Sequence, residues 1–204
     1  MFSLSSPDRR GTPASLLVVG LGNPGEEHSR TRHNAGADVV ELLAKRNGAS
    51  LKSSKKDHAR VADTRIDGEL VILAFPQTYM NDSGKSAVAL AKRASLASWD
   101  RLVVVHDELD LPLGSVRVKV GGGLAGHNGL RSITNHLKTQ DYARIRIGVG
   151  KPPGGKEHGA DHVLRKLRGS DAKVWDDIVS LAADAVEEIL RNGHDAAMAK
   201  FNNS

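Results

Sequence analysis

The apolar positions of this chain fall into short blocks that alternate between two spacings. Leu16-Leu17-Val18-Val19 is a continuous apolar run closed by Gly20, as expected of a strand buried on both faces. Leu102-Val103-Val104-Val105 is a second run of the same kind. Residues 59–66 and 69–74 are strand-like and meet at Asp67-Gly68, a pair that favours the positive backbone angles of a tight hairpin. Leu111-Pro112-Leu113-Gly114 forms a turn into a strand over 115–120, and Arg144 and Arg146 alternate with Ile145 and Ile147 in a strand over 143–149. Between these blocks the spacing becomes helical. It predicts helices from about Asn34 to Arg46, from a cap at Asn81 or Asp82 to about Ser95, over 127–137, and from Ser170 or Asp171 to Arg191 with Gly193 as a stop. In the last of these, Val174, Ile178, Leu181, Ala182, Ala185 and Ile189 recur at helical intervals and are expected to face the core. Strands and helices interleave along the chain with one interposed hairpin. That order predicts a single α/β domain over 15–204, with a twisted, mixed, mostly parallel sheet flanked by helices on both faces.

Composition narrows the picture. No window approaches the ~18 consecutive apolar residues of a membrane span, so no membrane partner is expected. Residues 1–14 are rich in Ser, Pro, Gly and Arg and lack an apolar signal core, which predicts a disordered tail ahead of the first strand. The absence of Cys removes disulfides, thiolate metal sites and a thiol nucleophile. A cytoplasmic protein is expected. The net charge of +5 changes more. Part of it is clustered, at Lys52, Lys55, Lys56 and Arg60, at Lys151 and Lys156, and at Arg165, Lys166 and Arg168. Such stripes suit a polyanion, because each phosphate contact releases counterions. A solvated surface is the plainer alternative.

The candidate chemistry lies just beyond the strands. Asn23 and His33 follow the first apolar run, Asp107 follows the second, and Asn128 follows the Gly-rich loop after 115–120. Open α/β sheets bind ligands outside the carboxyl ends of their strands. A histidine, an aspartate and two asparagines converging there supply a base, its orienter and neutral donors for an oxyanion, parts that suit hydrolysis of an ester by water. Competing motifs are weaker. Gly20-Leu21-Gly22-Asn23-Pro24-Gly25 matches a dinucleotide fingerprint, but Pro24 interrupts it, Glu26 and Glu27 repel phosphate, and the helix starts too late to meet a pyrophosphate. His106-Asp107-Glu108 holds one histidine, and neighbours on a strand point to opposite faces, so neither a metal nor another cofactor is expected. No Gly-x-Ser-x-Gly elbow supports a serine esterase. His58, His136, His158, His162 and His194 are expected at the surface. The run Gly121–Gly126 lets backbone approach a ligand and could form a mobile lid.

Several segments together resemble bacterial-type peptidyl-tRNA hydrolases. They are Val19–Gly25, Thr31-Arg-His-Asn34, Pro76–Gly84, His106–Pro112 and Gly126-His-Asn-Gly-Leu130, with Arg144–Gly150 also similar. The resemblance runs from about residue 16 to residue 168, in the right order and spacing. It implies cleavage of the ester joining a peptide to the terminal ribose of tRNA, which releases stalled peptidyl-tRNA during translation. It implies His33 as general base, Asp107 as its orienter and Asn23 as the group that discriminates N-blocked substrates. Met80, Asn81, His127 and Asn128 would line the peptide and 3′-end site, with Tyr79 and His28 contacting tRNA. A monomer with no obligate protein partner is expected. Two positions depart from the pattern: His28 replaces a frequent aromatic, and Ala125 a common glycine. Two alternatives stay open, an RNA-binding module without hydrolysis, like plastid splicing proteins that resemble the family, and an esterase of small molecules.

Overall fold

The computed structural model describes residues 12–203, the Lys156 side chain excepted. Most of the tail expected over 1–14 therefore lies outside the described residues, while Ala14 is buried and donates its amide to the Ala94 carbonyl.

The strands are β1 (Leu16–Gly20), β2 (Lys52–Ser54), β3 (Ala59–Ile66), β4 (Glu69–Pro76), β5 (Leu102–Glu108), β6 (Val116–Val120) and β7 (Ala143–Gly148). They form one sheet in the order β2-β3-β4-β1-β5-β7-β6. The central run β4-β1-β5-β7 is parallel, and the outer pairs are antiparallel. The parallel centre follows from the apolar runs, because strands without a polar face need cover on both sides. Alternation then sorts their side chains. Leu16, Val18, Val103 and Val105 pack under α1 (Ala35–Arg46) and α5 (Gly169–Asn202). Leu17, Val19, Leu102 and Val104 pack under α2 (Ser83–Arg93) and α3 (Asn128–Leu137). The expected two-faced α/β domain is what forms, and among the described residues no helix is long and apolar enough to cross a membrane.

Several details differ from expectation. The edge strand β2 and the short helix α4 (Gly159–Leu164) carry no periodic apolar signal. Asp82 occupies the position before α2 but makes no side-chain capping bond. Val174 and Leu181 are 42% and 39% exposed, because the buried stripe of α5 is centred on Trp175, Ile178, Ala182, Val186 and Ile189. Gly193 does interrupt the helix, at φ 83°, a conformation that disfavours any side chain, yet a further helical run follows to Asn202. That last turn closes the sheet. The Asn202 amide donates to the Val118 carbonyl and accepts from the Val118 N–H, both at 2.9 Å, along the open side of β6. Arg117 bonds the Phe201 carbonyl beside it.

One helix–helix contact predicts a pH effect. The Trp175 indole donates to Asp38 across the α1–α5 junction at 2.8 Å. Burial pushes the Asp38 carboxyl up to about 6, against the pull of that bond and of Arg30. A raised acid pKa makes stability greatest below the unfolded value and lowers it as pH rises through the folded one. Asp38→Asn keeps the acceptor and removes the charge. It is expected to add about 2 kcal/mol at neutral pH and to flatten the stability decline between roughly pH 4 and 6, as read from denaturant midpoints across pH. An unchanged midpoint at pH 7 would refute the assignment.

Candidate active site

A close approach of backbone to backbone assembles the site. A side chain at Gly20 would place its Cβ 2.0 Å from the Gly36 carbonyl oxygen, so the start of α1 can sit on the end of β1 only because both positions are glycine. This contact, and not nucleotide binding, accounts for the first glycine of the Gly20–Gly25 motif. It brings the turn over Arg32–Asn34 to the carboxyl end of β5. There His33 Nδ1 lies 2.9 Å and 3.1 Å from the two carboxylate oxygens of Asp107. Arg32, buried beside it, is paired with Asp171 at the start of α5, which fixes the turn from behind.

Asp107 serves a second imidazole. His127 stands at the N-terminus of α3, where its Nδ1 accepts from the amides of Gly129 and Leu130. Backbone N–H groups can only donate, so the His127 proton is assigned to Nε2, which donates to Asp107 Oδ1 at 3.0 Å. Burial alone would raise the Asp107 pKa. The facing His33 and His127 imidazoles reverse that and hold the carboxyl well below its usual range. For His33, burial disfavours the charged ring, but the charge and hydrogen bond of Asp107 outweigh it and leave the pKa above 6.5. With Nδ1–H given to Asp107, His33 Nε2 keeps its lone pair. His106, fully buried behind the site, is pushed down to about 3 by burial, His127 and Arg144, and its Nδ1 donates to the Asp107 carbonyl.

His33, Asp107 and His127 present ligand atoms within 4.8 Å of one another, close enough to ask whether they hold a metal. The spacing is that of two hydrogen bonds to one carboxylate, and the remaining nitrogen of His127 is committed to the helix amides. The donor set is accounted for by protons.

Asn23 is fixed from both sides. Its N–H donates to Asn34 Oδ1, its carbonyl accepts from Asn34 Nδ2, and its side-chain oxygen accepts from the Met80 amide at 2.8 Å. The Asn23 Nδ2 group is left as a donor to the pocket. That pocket has a volume of about 540 Å³, and its walls include Asn23, His33, Tyr79, Met80, Asn81, Asp107, His127 and Asn128. Asn81, Asn128 and Tyr79 are exposed at its mouth, and Met80 is buried beneath. His28 is not among the lining residues; it sits on the turn Glu26–His28 with Nε2 3.7 Å from Glu27. Ala125, on the loop side, adopts φ 49°, a left-handed conformation that a glycine would hold with less strain.

Two features escaped the sequence reading. Asn34 was visible as the neighbour of His33, but its reciprocal amide pairing with Asn23 is a tertiary contact. The apolar wall of Gly159, Ala160, Val163 and Leu164 comes from α4, six residues long and preceded by a Pro/Gly-rich stretch, which is too short for a periodic signal.

The fold and site define an α/β protein in which an imidazole and a carboxylate face a pocket at the carboxyl end of the parallel run of a mixed sheet. A family model described as peptidyl-tRNA hydrolase matches residues 17–204. A curated peptidyl-tRNA hydrolase of Nocardia farcinica is 51% identical over 181 residues, covering 89% of this chain and 93% of its own. One from Kineococcus radiotolerans is 49% identical over 193 residues, covering 91% and 96%. The crystal structure of peptidyl-tRNA hydrolase from Acinetobacter baumannii superposes with a TM-score of 0.86 at 40% identity, covering 94% and 97%. The chain belongs to the peptidyl-tRNA hydrolase family.

Proposed function

We propose that this chain hydrolyses the ester between a peptide, or an N-blocked aminoacyl group, and the 3′-terminal ribose of tRNA, freeing both during rescue of stalled translation. The observation that carries the reading is the buried Asp107 carboxylate bound to His33 Nδ1, which leaves Nε2 lone-paired at the wall of a pocket large enough for a peptidyl 3′-end. In this mechanism Nε2 takes a proton from water as the water oxygen attacks the ester carbon. Asp107 stabilises the imidazolium, and the proton then passes to the ribose oxygen as the ester C–O bond breaks. Neutral amide donors among Asn23, Asn81 and Asn128 meet the oxyanion and the peptide carbonyls without adding a competing base. Tyr79, 68% exposed at the mouth, offers a face for the terminal base to stack on, and His28, on the separate loop between β1 and α1, offers a second contact for tRNA. The chemistry needs no cofactor. The protein acts as a cytoplasmic monomer without an obligate protein partner.

Release of labelled N-acetyl-aminoacyl groups from tRNA, with free aminoacyl-tRNA spared, tests the reading. Tight tRNA binding without release would favour the RNA-binding alternative.

The charge distribution predicts how affinity divides between the two ends of the substrate. Lys151, Arg165 and Lys166 are exposed on the segment that carries α4 and one wall of the pocket. For full-length N-blocked aminoacyl-tRNA, log K is expected to fall steeply and linearly with log salt. A peptide ester of adenosine, with few phosphates, should show a much flatter slope. Neutralising the three residues together is expected to reduce the tRNA slope by up to about three units and to leave turnover of the minimal ester near the parent value. Equal slopes for both substrates would show the basic surface to be mere solvation and would favour a small-molecule esterase.

A further inference from the structure

Arg144 is a cation sealed under the sheet. It is 1% exposed on β7, in register with Val104 and one strand away from the catalytic β5. Among the described residues no carboxylate pairs with it. Its Nη1 donates to the Gly123 carbonyl at 2.7 Å and its Nη2 to the Gln140 carbonyl at 3.4 Å, and the guanidinium lies 4.9 Å from the centre of the Tyr142 ring. Its Nε is buried without a partner, as is Nε2 of His106 on the same face of the sheet. Burying a charge against carbonyls and a ring is costly, and an aliphatic side chain of similar volume would cost less. Packing alone gives no reason for an arginine here.

Its main contact supplies one. Gly123 lies in the middle of the glycine-rich loop 121–126, and Arg144 makes the only side-chain hydrogen bond onto that loop among the described residues. The loop's other hydrogen bonds are backbone ones at its two ends, Gly121 N–H to the Tyr142 carbonyl just ahead of β7 and His127 N–H to the Leu124 carbonyl. The residue that follows the loop is His127, the second donor to Asp107. The α3 amides hold His127 from the helix side, but a glycine-rich run has many conformations to lose, so a fixed point in its middle is what holds it from the loop side.

We propose that Arg144 is a positioning residue of the hydrolytic centre: by pinning the Gly123 carbonyl it sets the loop that delivers His127 to Asp107. This rests on Asp107 acting as partner of the base. Arg144 touches neither substrate nor reacting atoms, and its influence passes through one loop and one imidazole.

The test is a double-substitution cycle on the full chain with the minimal peptide ester of adenosine, which takes tRNA contacts out of the readout. Arg144→Met is expected to lower kcat about 10- to 100-fold with little change in KM, the loss typical of a misplaced group. Its melting temperature should be equal to or above that of the parent, because the substitution removes a buried unpaired charge. His127→Ala is expected to lower kcat by a similar factor. The double variant should be no slower than His127→Ala alone, since both changes remove the same thing. Multiplied losses, or parental kcat in Arg144→Met, would overturn the proposal. Should Arg144→Met fail to fold, Arg144→Lys keeps the charge but cannot span both carbonyls, and the same cycle is read with it. If His33→Ala retained turnover, the functional reading itself would fail; an inactive His33→Ala with a multiplicative cycle would sink only this inference.

Discussion

Replacing His33 by alanine is expected to lower hydrolysis of N-acetyl-aminoacyl-tRNA by about 10²–10⁴-fold while leaving tRNA affinity and the folded state close to the parent. The size follows from the job. His33 Nε2 is the lone-paired imidazole nitrogen that faces the pocket with a buried carboxylate behind it; His127 has spent Nδ1 on the α3 amides and Nε2 on Asp107, and His106 is enclosed. The stability cost should be small, because His33 lies on a turn already fixed by Arg32 and Asn34. Single-turnover kinetics together with tRNA binding measure the two halves separately. Near-parental turnover would remove His33 from the mechanism, and a matching loss of binding would make its role structural.

Asp107→Asn is the second large effect, and it carries a pH signature. The carboxylate accepts from both His33 and His127, whereas an asparagine has one acceptor oxygen and must turn an NH₂ toward one of them. The imidazolium formed in the reaction would also lose its counter-charge. Turnover should fall by about 10²–10⁴-fold. The base works in its neutral form, so kcat/KM rises with pH through the His33 pKa. In the parent that limb is expected above 6.5, because Asp107 outweighs the burial that would lower it. With the charge removed only burial remains, and the limb should move to lower pH even as the plateau drops. A limb that stays in place, or moves up, would show that Asp107 does not govern the base.

Much of this site was legible in the chain because strand ends announce themselves. The runs 16–19 and 102–105 located two neighbouring parallel strands; Asn23 lies just beyond the first, whereas Asp107, expected beyond the second, is still part of β5, which continues to Glu108 as it pairs with β7. His33 was legible as the loop-to-helix residue ahead of α1. The partnership of His127 with Asp107 was not, since it depends on the path of a glycine-rich loop that carries no periodicity; the sequence placed His127 with the substrate contacts. Asn34 hid behind an ordinary helix-start position. Exposure of Val174 and Leu181 was missed for a different reason. Helical spacing marks a stripe, but where the stripe ends depends on which bulky residue, here Trp175, anchors it to the partner helix. The α4 wall of the pocket had no signal at all, being too short and too polar.

The far end of the chain has a bearing on the company the protein keeps. A sheet with open borders is a template for other strands, in a neighbouring molecule or in a half-folded copy of itself. By matching the Val118 backbone with its side-chain amide, Asn202 spends the middle pair of hydrogen-bonding groups through which β6 would recruit a stranger. The opposite border, β2, is three residues long and carries Lys52 at its start. The last helical turn, which touches no part of the chemistry, thus works as a selvedge, finishing the fabric so that the sheet stops at seven strands.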